Sequence, residues 1–196
     1  PCRPMYPVVS SASIQYAARA STAIVKGEEV IKLKVIGDDP GNKKASRGER
    51  VAKHMNTQIL DQMEGWETDM DQLLICQPVL GVYYKKTFYD PVESVNRSEL
   101  VSPADLVMDY FSKSVEKAPR KTHVFEYTHN EYLEMVMSDI WKDIELEEPS
   151  DEYETHTFLE QHGFFDLDDD DYKEPYIVTI SEETSKVVRV VARFDK

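Results

Sequence analysis

The segment from His156 to Lys196, HTFLEQHGFFDLDDDDYKEPYIVTISEETSKVVRVVARFDK, constrains the fold more than any other part of the chain. An apolar run from His156 to Phe165 is followed by an acidic loop, Asp166 to Asp171, and then by two β-rich arms around the polar turn Ser181 to Lys186. Tyr176, Val178 and Ile180 alternate on the first arm. On the second, Val188, Val190, Ala192 and Phe194 alternate against Arg189, Val191 and Arg193. Period-two patterning of this kind predicts a strand, a tight carboxylate loop and a hairpin. Such a hairpin buries one face only, so it must lie on something else.

Upstream, prolines keep Pro1 to Pro7 irregular, and SSASIQYAARASTAIV predicts a helix over Ser10–Val25. Ser10 is its expected N-cap, Ile14, Ala17, Ala18 and Ile24 its apolar stripe, and Gly27 its stop. A strand is expected over Glu29–Ile36 and a turn at Gly37–Gly41. Val51, Met55, Ile59, Leu60 and Met63 then recur at helical spacing, predicting a long helix over Lys44–Glu64. Gly65 separates it from a second helix, Trp66–Gln77, closed by Pro78 and Gly81. Two amphipathic helices joined by one glycine fold back as a hairpin or bend at an angle.

Val82–Tyr89 reads as a strand, Asp90 and Pro91 as a turn, and Glu99–Val101 as a short return. Ser102, Pro103 and Asp105 carry the pattern of a helix start. Lys121–Tyr127 is a further strand; Thr128 and Glu131 have capping-box spacing ahead of a helix over Asn130–Trp141. Residues 143–155 form an acidic stretch, expected as a solvated loop or the tip of an insertion. The resulting expectation is an α+β fold over a single domain, 1–196, with amphipathic helices packed on short antiparallel strands.

With 23 Lys plus Arg against 37 Asp plus Glu, the net charge is -14. This balance argues against a protein that grips phosphate backbones, which requires clustered cations. The one dense basic cluster is Lys43, Lys44, Arg47, Arg50 and Lys53, which solvates a helix end or meets an acidic partner surface, including that of another subunit. Cys2 and Cys76 are too few for a disulfide framework. No apolar run approaches the roughly 20 residues that span a bilayer. Both ends read as cuts in a longer protein.

Asp166, Asp168 and Asp170 stand at alternate positions, with Glu174 four residues beyond. Carboxylates so spaced converge on one ion in the first half of a calcium loop, so this set is the candidate site for Ca²⁺ or Mg²⁺. The pattern then departs: Asp171 takes the place of the turn glycine and Ile177 that of the bidentate Glu. An Asp-rich structural turn is the competing reading. The five histidines fit no HExxH motif and no zinc spacing with the cysteines. Nucleophile-elbow, phosphate-loop and dinucleotide fingerprints are all missing from the sequence.

The blocks LEQHGFFDLDDDDYKEPYIVT and VVRVVARFD, with LLICQPVLGVYYKKTFYDP, SELVSPADLVMDYF and IQYAARAS upstream, resemble the portal proteins of tailed bacteriophages, in particular the short-tailed phages. That resemblance implies a non-enzymatic subunit of a head-to-tail connector, a ring usually of twelve copies at one vertex of the virion, assembled in the host cytoplasm. It implies partners as well: other portal subunits, scaffolding and capsid proteins, terminase and tail adaptors, with DNA passing through a tunnel and no membrane. The chain would be part of the wing, without much of the helical stem, the clip or any crown. The alternative from another class is a metal-dependent enzyme acting on nucleic acid, or a cation-binding module, using the Asp166–Asp171 loop.

Overall fold

A computed structural model describes residues 7–25, 29–147, 151 and 153–193 of the chain. It divides into two units, Pro1–Val101 and Ser102–Lys196. Helices and antiparallel strands occur in both, so the expected α+β class holds.

The first unit contains α1 (Val8–Ile24), α2 (Lys43–Thr57), a π-helical turn (Gln58–Gln62), α3 (Trp66–Leu80) and a hairpin of β1 (Tyr84–Asp90) and β2 (Val95–Val101). Helix α1 starts after Pro7, which fixes φ without needing a donor, and Ser10 makes no cap. Its buried positions are Ser13 and Ala17, whereas Ile14 is 61% exposed. The buried stripe is therefore rotated from the one predicted, and small side chains let α1 approach α3 closely. Gly27, the predicted stop, lies outside the described residues; the helix has already ended with Val25 N–H bonded to Ser21 O.

The predicted strand at 29–36 is not formed beyond an isolated bridge at Glu29. Instead the buried Asn56 of α2 acts as its partner. Asn56 Oδ1 accepts the N–H groups of Val30 and Ile31 at 2.9 and 2.8 Å, and Asn56 Nδ2 donates to Ile31 O at 3.1 Å. One side-chain amide thus does for two residues what a neighbouring strand would do. The long predicted helix is α2 plus the π turn, and Gly65, left-handed at φ 75°, leads into α3. Helix α3 runs through Pro78 to Leu80, one turn beyond its predicted end, and Gly81 closes it. It packs chiefly along α1.

In the second unit β3 (Leu106–Met108), β4 (Lys121–Thr128), β5 (Thr155–Phe165), β6 (Glu174–Ser181) and β7 (Val187–Ala192) form an antiparallel sheet in chain order, with α4 (His129–Met137) between β4 and β5. Ser102, Pro103 and Asp105 open a turn, not a helix: Ser102 Oγ accepts Ala104 N–H and Ser102 O accepts Asp105 N–H. The same residue types serve turns and caps, and pairing with β4 settles the outcome here. The capping box of α4 is complete, Thr128 Oγ1 accepting Glu131 N–H while Glu131 Oε2 accepts Thr128 N–H. The helix ends at Met137, short of the predicted Trp141. Asp139 turns left-handed there, and the Ile140 and Trp141 N–H groups both return to Met135 O.

That turn delivers Trp141 into the core with Tyr132, Phe158 and Val188, flanked by Phe125 and Tyr127. Phe158 is fully buried, and its ring lies 4.7 Å from that of Trp141. Opposite Thr179 and Ile180 the β7 partners are Arg189 and Val187, so Val188 is an extra residue in a bulge. Its side chain is buried and its carbonyl accepts Lys142 N–H at 2.8 Å, while Val190 is half exposed. The predicted alternation of Val188 with Val190 is broken for this reason; Phe194 lies outside the described residues.

Candidate functional site

The loop between β5 and β6 gathers the carboxylates of Asp166, Asp168 and Asp170, whose ligand atoms all lie within 4.8 Å of one another. Backbone geometry produces this convergence. Asp166 accepts the N–H groups of Asp170 and Asp171 at 3.3 and 3.0 Å, and Asp170 Oδ1 accepts Tyr172 N–H at 2.8 Å. Asp169 and Asp171 take left-handed φ of 59° and 67°. Asp171 thus adopts the conformation for which a calcium loop uses glycine, at a small steric cost that Asp tolerates. Glu174 opens β6 opposite Phe165 and stands outside the trio. Asp168 and Asp170 are exposed and Asp166 partly so; their mutual repulsion is therefore screened by solvent. Chemically, the loop offers oxygen ligands for a hard cation, together with a self-sufficient network of Asp-turn hydrogen bonds.

The basic cluster lies along the first turns of α2, every member exposed. Cations at a helix N-terminus oppose its dipole. Asp39 offsets them: Oδ1 accepts Lys44 N–H at 3.0 Å and Oδ2 accepts Ala45 N–H at 2.9 Å. These bonds hold its carboxyl below the ordinary value of 3.8.

Two groups escaped the sequence reading. One is the aromatic pair at the tip following β3, where Tyr110 and Phe111 are 93% and 90% exposed and their rings meet edge to face at 5.2 Å. The start signal at Ser102 predicts no element that would reach them. The other is His129, His156 and Glu183. His156 follows the first residue of β5 and points to the core side with Phe158, and His129 is the first residue of α4, directly after β4. Register pairs Tyr127 with His156, so the two imidazoles meet, Nδ1 of His129 lying 3.4 Å from Nε2 of His156. Glu183, on the turn between β6 and β7, reaches His156 Nδ1 at 3.1 Å. Each histidine is expected at the surface or half-buried, but His156 is buried, and the pairing that unites residues 27 apart is not written in any local pattern.

A groove of about 150 Å³ between α1 and α3 is lined by Ile24, Met70 and Leu74 with Glu67 and Asp71 at its rim. Its lining adds the Ser21 hydroxyl to these carboxylates and contains neither His nor Cys. No helix of the described residues is long and apolar enough to cross a membrane. No protein-family model matches the chain, and no curated protein gives a significant match.

Proposed function

We propose that the chain is a structural piece of a phage portal subunit, belonging to the wing of the ring through which viral DNA is packaged and ejected. The reading is carried by the ordered blocks of portal-like sequence. Those blocks cover β1, β3 and β7 and most of α3, β2, β5 and β6. The exposed Tyr110–Phe111 pair supports it further, because bare aromatic surface of this kind is buried on association. In the whole protein the partners would be other portal subunits, scaffolding and capsid proteins, terminase and tail adaptors. The role is assembly and no bond is made or broken. The test is mass photometry and negative-stain microscopy of the protein encoded by the complete reading frame. Rings of uniform size, weakened by Tyr110→Ser with Phe111→Ser, are expected; a species that stays monomeric under assembly conditions overturns the reading.

A cation-binding turn is the second reading, favoured by the convergence of Asp166, Asp168 and Asp170. Calorimetry with Ca²⁺ and Mg²⁺ decides it, since heat that disappears in Asp168→Asn with Asp170→Asn supports the turn and no heat removes it. Divalent-dependent cleavage of DNA, lost in the same variant, would instead make the chain an enzyme.

A further inference from the structure

The His129–His156–Glu183 group has the layout of a metal-binding imidazole pair with its orienting carboxylate. Glu183 lies 3.1 and 3.2 Å from Nδ1 of His156 through its two oxygens. A carboxylate only accepts, so Nδ1 carries the hydrogen, and in the neutral ring Nε2 keeps a lone pair aimed at His129. That lone pair accepts the Nδ1–H of His129 across 3.4 Å, a long contact for a hydrogen bond between nitrogens. The same separation is that of two ligands along one edge of a tetrahedral site: with Zn–N bonds of ~2.0–2.1 Å the nitrogens stand ~3.3–3.4 Å apart. The rings, with centroids 5.6 Å apart and planes inclined at 58°, do not stack.

His156 is only 3% exposed, whereas His129 is half-buried, so an ion would reach the pair from the His129 side. The nearby polar groups have other engagements. Glu131 is held by Thr128, and the Tyr132 hydroxyl by Asp143 and Ile144. A carboxylate behind a ligating imidazole fixes its tautomer and strengthens it as a ligand. We propose that His129 Nδ1 and His156 Nε2 together bind a divalent transition-metal ion, Zn²⁺ or Ni²⁺, with Glu183 orienting His156 and water filling the remaining positions. On loading, the His129 hydrogen moves from Nδ1 to Nε2, so each ring stays neutral and no proton is released. Imidazole ligands disfavour Ca²⁺ and Mg²⁺, which separates this site from the Asp turn.

The experiment uses the full chain, freed of metal by chelator, and reads Zn²⁺ and Ni²⁺ binding by calorimetry, thermal melting and the histidine ring signals in NMR. At about 1 mM Zn²⁺ the melting temperature should rise by ~3 °C or more, and the His129 and His156 ring signals should shift together. His129→Gln, at a half-buried position, should fold normally by circular dichroism and lose the binding. Glu183→Gln should weaken it about 10–100-fold, and Asp168→Asn with Asp170→Asn should leave it unchanged. Absence of heat and of ring shifts, binding that survives His129→Gln, or binding lost with the Asp variant each overturns the proposal.

Discussion

Tyr132 carries more of the second unit than its size suggests. Its ring is buried in the aromatic core, and its hydroxyl accepts Ile144 N–H at 2.8 Å while donating toward Asp143 Oδ1 and Ile144 O. Burial raises its proton affinity, the Ile144 N–H lowers it, and the Asp143 charge raises it again; the net shift is upward from 10.0. A phenol raised in the folded state contributes stability that is fully present below pH 10.0 and lost as pH climbs through the folded value. Tyr132→Phe is expected to cost about 1–3 kcal/mol at pH 7, because Ile144 N–H loses its acceptor. In urea titrations the gap between the two proteins should narrow above pH 10. Phe158→Ala should cost about 3–5 kcal/mol, since no solvent reaches that side chain. Val190→Ala, half exposed on the same sheet, should stay within about 0.5 kcal/mol.

The elements differ in how plainly their residues announce them. Helix α4, β5 and the β6–β7 hairpin rest on local signals, a capping box and period-two alternation, and they form where those signals stand. The extended segment at 29–36 has equally apolar alternation, but its hydrogen bonds go to Asn56, a choice made by a residue 25 positions away. The bulge at Val188 is invisible for the same reason, since it is set by the Lys142 N–H that claims the Val188 carbonyl. The Asp turn was legible because adjacent residues build it, whereas the histidine pair depends on strand register. For α2, the depressed carboxyl of Asp39 gives stability present above 3.8 and lost as pH falls through the folded value. Asp39→Ala should therefore melt below the wild type at pH 7, with the difference narrowing as pH falls below 3.8, as followed by circular dichroism. Deleting Val188 leaves the pairs on either side of the bulge in register but removes both a buried side chain and the acceptor of Lys142 N–H, so in urea titration it should cost more than Val188→Ala, which keeps the carbonyl.

At the scale of the whole molecule, a charge of -14 makes the chain repel itself. Raising NaCl from about 10 mM to about 150 mM shortens the screening length from about 30 Å to about 8 Å. The melting temperature should rise over that interval, and a fall would show that local ion pairs such as Lys85–Asp69 outweigh the repulsion. Were the proposed ring to form, salt should promote its assembly on the same account.

Every strand of the five-stranded sheet is bonded only to strands adjacent in the chain. Such an arrangement can zip up hairpin by hairpin as the polypeptide leaves the ribosome, with no segment waiting for a distant partner to be synthesised.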